Sequence, residues 1–287
     1  MKKSKKIVIF SSLGAVLAGL IIVAAILGSV QFDFGKLSSE HFRTHDNYPV
    51  DEPFEKVEVE TINGDIFIRQ SSGKYCKVTC SISEHVTYDV KSENGTLKIK
   101  QNDSRQWYEH LGVIWEPPYG VVVELPAKTY EKLAIKTTSG KVWVHHRDFR
   151  RTDISSISGN IQLLECSAGR VKTATTSGDI QLLNTNTTSL ELVTTSGNIW
   201  LSNTNSTGTV AISSVSGDAL LNTFDAPNMK VSTISGDVDA MLLSGKNFLV
   251  QSISGDVDVP RSDPSGGTCE ITTTSGDIGV SVQQQTQ

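Results

Sequence analysis

"TTSGDIQLLNTNTTSLELVTTSGNIWL" occupies residues 175–201 and contains the same phrase twice. Thr176-Ser177-Gly178-Asp179-Ile180 returns as Thr195-Ser196-Gly197-Asn198-Ile199, and later as Ile234-Ser235-Gly236-Asp237-Val238. With the glycine as a ruler, the phrase marks Gly140, Gly159, Gly178, Gly197, Gly217, Gly236, Gly255 and Gly276, in steps of 19, 19, 19, 20, 19, 19 and 21 residues. A fixed period of this length is the signature of a stacked repeat.

Alternation around each glycine predicts which side chains turn inward. Five residues before it stand Ile135, Ile154, Thr173, Leu192, Ile212, Val231, Val250 and Ile271. Two after it stand Val142, Ile161, Ile180, Ile199, Ala219, Val238, Val257 and Ile278, and Val144, Leu163, Leu182 and Leu201 follow at the fourth place. Polar residues lie between them. Period-two alternation of β-branched and apolar residues reads as strands with one buried face. Ser-Gly-Asp is the corner between two short strands, where glycine accepts a positive φ and Asp or Asn tolerates it next best.

A unit of about 19 residues cannot bury its apolar face alone, but units stacked in parallel ~4.8 Å apart share a continuous core. The fold expected is therefore all-β, a parallel β-solenoid with tight Ser-Gly-Asp corners, its rungs following one another in chain order. An antiparallel meander with each Gly-Asp as a hairpin turn fits the same parity, but needs a second layer that the sequence does not supply. Val57–Ile68 repeats the template around Gly64, and Tyr88–Val90 and Leu97–Ile99 flank Gly95 in the same way. The insertion "QNDSRQWYEHLGVIWEPPYG" at 101–120 interrupts the pattern, which resumes at Val121–Pro126.

Ahead of the repeats, Lys2, Lys3, Lys5 and Lys6 precede an uncharged run from Ile7 to Val30. Its helix would be ~36 Å long, enough to cross a ~30 Å hydrocarbon core. The lysines place residues 1–6 in the cytoplasm and everything after the span outside. A cleaved signal peptide is the alternative, although no Ala-x-Ala site follows cleanly. The organisation expected is a transmembrane anchor at 7–30, a stalk at 31–53, a solenoid ectodomain at 54–282 and a short tail at 283–287: a single-pass protein of the cell membrane. The formal charge is −5 and no basic stripe is present, which argues against nucleic acid.

"YGVVVELPAKTYEKLAIKTTSGKVWV" (119–144), followed by the repeated SGD corners, resembles the bacterial "putative-adhesin" family, which also includes LiaG-like membrane-anchored proteins of Gram-positive bacteria. The resemblance spans about residues 54–282 and rests on the strand ending in Leu-Pro as well as on the corners. It implies a surface protein built of β-strand repeats, acting as an adhesin or within an envelope-stress system, and it brings no catalytic residues with it.

Candidate sites follow. Trp107, Tyr108, Trp115 and Tyr119 in the insertion suit a glycan or protein partner, or a cap over the solenoid. Asp218, Asp237, Asp256 and Asp277 share one corner position and could line up to hold Ca²⁺. Lys141, Asn160 and Asn198 at the same position favour turn chemistry instead. Thr138, Ile157, Thr176, Thr195, Val215, Ile234, Ile253 and Thr274, two before each glycine, should face outward, with Val215, Ile234 and Ile253 forming an apolar stripe. His41 with His45, and His145 with His146, lack an obvious third ligand. Asn184–Thr188 and Asn203–Thr207 read as second turns. Cys76, Cys80, Cys166 and Cys269 read as free, mostly buried thiols. Val280 and Val282 end the last strand and leave an open edge for self-association.

No nucleophile elbow, HExxH, phosphate loop or dinucleotide fingerprint occurs, and no cofactor or metal is expected. The function expected is a non-catalytic, adhesin-like binding module touching envelope glycan or host surfaces. The alternative is an accessory protein that contacts another membrane protein in envelope-stress sensing; a polysaccharide-active enzyme ranks behind both.

Overall fold

Each Ser-Gly-Asp or Ser-Gly-Asn phrase separates two strands, in the middle of the chain a long one from a shorter one, and the two make one rung. Asp148–Ser158 precedes Ile161–Leu164, Ser167–Ser177 precedes Ile180–Leu183, and Asn186–Ser196 precedes Ile199–Ser206. Successive rungs pair in parallel and in register: Ile154 lies beside Ile135 on one side and Thr173 on the other, and Ile161 lies between Val142 and Ile180. The chain is a β-solenoid, and the parallel ladder excludes the meander. This computed structural model describes residues 43–45, 48, 50, 52–105 and 120–283. All of them but Arg105 belong to one unit, His41–Ser104 with Glu116–Gln287.

The core is a set of ladders running along the stack. Leu133, Val171, Leu190, Val210 and Met229, seven before the corner glycine, are buried beside the expected ladder of Ile135, Ile154, Leu192, Ile212 and Val231. Fully burying such a side chain stabilises the fold by about 1.5–3 kcal/mol. One inward ladder is polar. Thr137, Ser156, Thr175, Thr194, Ser214, Thr233 and Thr273, three before the glycine, are all buried. Several donate to the glycine carbonyl of a neighbouring rung, Thr194 Oγ1 to Gly178 O at 3.2 Å and Thr273 Oγ1 to Gly236 O at 3.3 Å. The hydroxyl closes the core where the chain bends and no apolar residue could supply a donor.

Stacking order departs from chain order at both ends. At the N-terminal end, the first rung, Lys56–Thr61 with Ile66–Gln70, lies inside. Thr96–Asp103 and Val121–Leu125 pair with it on one side, and Thr129–Ser139 and Val142–His145 on the other. Antiparallel strands Lys77–Ile82 and Val86–Glu93 then cover Val121–Leu125 and Thr96–Asp103. Gly95 is accordingly not a rung corner. With Asn94 at φ 52° and Gly95 at φ 71°, it is the two-residue turn of an antiparallel hairpin.

At the C-terminal end, Thr268–Thr273 inserts between Asn228–Ser232 and Asn247–Ser252, and Ile278–Val282 between Val238–Leu242 and Val257–Asp258. Among the described residues the outermost rung is therefore 247–258; it covers Ile278 and Gly279, and the open edge expected at Val280 and Val282 remains without a strand partner on that side. The return segment 259–267 makes this possible: a Cβ on Gly267 would lie 1.5 Å from Pro227 O, so only glycine passes that point.

A buried cation marks each crossing. Lys246 follows the C-terminal departure, with its side chain only 5% exposed and its ammonium 2.6 Å from Asp225 Oδ1. Arg147 is buried at the N-terminal crossing and donates from Nη1 to Leu125 O at 2.7 Å and Pro126 O at 2.9 Å.

Candidate functional site

The corners were candidates for calcium, and their geometry gives them another task. The glycines stack in the order Gly64, Gly140, Gly159, Gly178, Gly197, Gly217, Gly236, Gly276, Gly255. A Cβ on each after the first would sit 2.0–2.3 Å from the carbonyl oxygen of the one before. Positive φ, the reason expected for glycine, holds in this ladder only at Gly64 and Gly140. Elsewhere the requirement is the close approach of two backbones.

The acidic ladder beside it is spent on the backbone. A side-chain oxygen of Asn160, Asp179, Asn198, Asp218, Asp237 and Asp277 accepts from the N–H at the same position one rung on, at 2.8–3.0 Å. Asp65 does the same for Lys141 at 2.8 Å. Asn serves as well as Asp, which explains their interchange and supports turn chemistry over ligation. Lys141 has no acceptor to pass on, and Asn160 N–H finds no protein partner among the described residues.

Other expected sites fare differently. Trp107, Tyr108, Trp115 and Tyr119, the anchor at 7–30 and His41 lie outside the described residues. His45 is placed in strand Arg43–His45 by its backbone alone. Among the described residues no helix is long and apolar enough to cross a membrane. Asn184 and Asn203 hold left-handed turns at φ 50° and 48°, with Asn203 donating to Asn184 Oδ1 at 2.8 Å. All four cysteines are free, Cys76 half-buried and the rest buried. Burial pushes the thiols of Cys76, Cys80 and Cys269 up to about 12 and that of Cys166 up to about 11.

The outward stripe is present, with Ile157, Val215, Ile234 and Ile253 all exposed. Stacking order breaks it, because Thr274 comes between Ile234 and Ile253: Ser275 N donates to Ile234 O and Ser254 N to Thr274 O.

The apolar exposure concentrates instead at the C-terminal end. Val215, Leu220, Ile234, Met241, Leu249, Ile253 and Val257 are exposed there, Ile253 at 74%. Val257 faces inward by parity but has no rung above it, and Phe248, Val250 and Val259 are only half-covered for the same reason. Ser262 Oγ takes Phe248 N–H at 3.0 Å, and among the described residues no strand pairs with the outer edge of Asn247–Ser252. A shallow groove of about 390 Å³ opens over the short strands of this end, walled by Leu220 and Met241 and flanked by Asp239 and Asp258. Its floor is Gly279, which stands between the two aspartates in the ladder and carries no side chain to fill it. Period alone does not predict this site; its signal is the run of bulky outward residues after 215.

Comparison with known proteins agrees with this architecture. The family model described as Toastrack DUF4097 matches residues 54–263 and 206–287. Among solved structures, one named a "putative lipid binding protein" from Parabacteroides distasonis is similar at a TM-score of 0.56 and 15% identity, covering 85% of this chain and 98% of that one. A "putative adhesin" from the same species gives 0.54 at 14% identity, covering 84% and 98%. Another from Parabacteroides merdae gives 0.50 at 13%, covering 86% and 98%. At such identities the likeness is one of fold. No curated protein matches the chain.

Proposed function

The chain belongs to the toastrack DUF4097 family, and from that membership we propose that it is a non-catalytic, adhesin-like binding module of the cell surface. In this reading the 7–30 segment anchors it in the membrane and the ectodomain stands outside. The C-terminal end of the solenoid is the part that binds.

The observation that carries the reading is the open end itself. A terminal rung whose inward residues Phe248, Val250 and Val257 are left partly uncovered, beside exposed Leu249 and Ile253, is apolar surface of the kind that marks an interaction site. The unpaired edge of Asn247–Ser252 offers main-chain donors and acceptors to an added strand. That favours a protein partner over a glycan, because a sugar cannot continue a β-ladder.

The test is photo-crosslinking in cells from position 249 or 253 of the full chain. A defined protein adduct, lost in the L249D/I253D double variant, is the expected result. A partner that is another membrane protein would identify the accessory role, and a second copy of this chain would identify self-association through rung 247–258. Adducts confined to glycan or lipid, or none at all, would overturn the reading.

A further inference from the structure

His145 and His146 stand side by side in a sequence that shows no third ligand near them. The fold supplies one from the next rung. Val142–His145 pairs in parallel with Ile161–Leu164, Leu164 lying beside His145, so that His146 and Glu165 follow at the same corner one rung apart. Glu165 Oε2 lies 2.5 Å from His146 Nε2 and 3.9 Å from His145 Nε2. One ligand atom from each of the three falls within 4.8 Å of the others. We propose that His145, His146 and Glu165 form a surface site for a divalent transition ion of the zinc and copper class.

Two imidazole nitrogens and one carboxylate oxygen are a donor set that such borderline ions take. In a tetrahedral zinc site, bonds of about 2.0–2.1 Å hold the ligand atoms ~3.4 Å apart. The separations here straddle that value, and the side chains are exposed enough to adjust by rotation alone. The backbone beneath them is fixed, His146 N donating to Leu164 O at 3.1 Å and Glu165 N to Leu183 O at 2.9 Å. Three protein ligands leave a fourth position for water or for a donor group brought by a partner.

The neighbouring rungs show what the corner takes when no ligand is needed. His146, Glu165, Asn184, Asn203 and Thr223 all hold φ between 48° and 53°. Asn is well suited to that left-handed conformation, and Asn184 and Asn203 also bond to each other there. Glu165 gains nothing comparable from the turn; its contacts are with the two histidines.

Those same rungs provide variants that keep the fold. In H146N and E165N each corner receives the residue that Asn184 and Asn203 already place there. The full chain, purified in detergent, is titrated by calorimetry with Zn²⁺ and, separately, Cu²⁺. The expected result is saturable binding of one ion per chain, weakened at least ~10-fold in each variant. Without metal, the variants should melt no lower than the parent. Absence of saturable binding by the parent would overturn the proposal, and so would binding unchanged in both variants, which would place the ion elsewhere.

Discussion

Gly276 packs against Gly236, so closely that a Cβ on it would lie 2.2 Å from the Gly236 carbonyl oxygen. The two belong to rungs 40 residues apart, and the intervening corner, Gly255, sits on the far side of Gly276. The last rung in the chain is thus the last but one in the stack.

Removal of residues 268–287 should therefore cost more than one terminal rung. Among the described residues Asn247–Ser252 pairs only with Thr268–Thr273, so its amides should lose their hydrogen-exchange protection in the truncated chain. Retained protection at 247–252 would mean that this strand takes the place Thr268–Thr273 vacates beside Asn228–Ser232.

Gly197 faces the Gly178 carbonyl oxygen at 2.0 Å from its ideal Cβ, and backbone on both sides cannot give way. G197A should lower stability by about 3 kcal/mol or more. G73A is the control, since its nearest atom is Ser71 Oγ at 3.8 Å and the change should be nearly neutral. Denaturant unfolding of the two variants separates close approach from a general intolerance of alanine.

Lys141 interrupts the ladder in which each Asp or Asn side chain accepts from the next rung's N–H. K141N would present an acceptor to Asn160 N–H and stabilise by about 0.5–1.5 kcal/mol. A rise in the melting temperature is the expected outcome; a fall would show that the cation over the Trp143 ring, 5.5 Å from its centroid, contributes more.

Thr173 takes a place in the buried ladder that other rungs fill with Ile, Leu or Val, and its Oγ1 has no hydrogen-bond partner among the described residues. T173V keeps the shape and removes the orphan hydroxyl. A gain of about 1–2 kcal/mol follows from the unmet hydrogen bond, and unfolding in urea measures it.

The four thiols should be inert at neutral pH, because the thiolate is the reactive form and burial raises each above the ordinary value of 9.0. Iodoacetamide labelling at pH 8 should follow unfolding rather than precede it. Above about pH 9 the unfolded chain releases thiol protons that the folded chain keeps, so stability falls as pH rises toward 11–12. A C269V variant should soften that decline, which melting curves between pH 8 and 10.5 would show.

The repeat was legible because its ruler is chemical. Glycine recurs where two backbones touch, and Ile135, Ile161 and Leu163 alternate with polar residues because one face is buried. Stacking order was not legible, since every rung presents the same parity and nothing in Val231 or Ile271 says which neighbour it meets. Loop geometry decides it, at Gly267 beside Pro227, and so does the ion pair of buried Lys246 with partly exposed Asp225, which in the sequence read as ordinary polar residues. The hydroxyl ladder was hidden in the same way: Thr194 and Thr273 look like surface residues until their glycine partners are in place. Glu165 was out of reach as a partner of His146 because the two meet only once adjacent rungs are stacked.

A chain made from its N-terminus onward exposes strand Asn228–Ser232 before Thr268–Thr273 exists. At about 5–20 residues per second, the wait lasts about 2–8 s. Through that interval the next strand to emerge is Asn247–Ser252, with the same alternation and the same corner, free to lie where Thr268–Thr273 belongs. The finished order requires that this early partner stay off or be displaced. Where that early partner has docked first, Thr268–Thr273 must enter as an invading strand between Asn228–Ser232 and Asn247–Ser252.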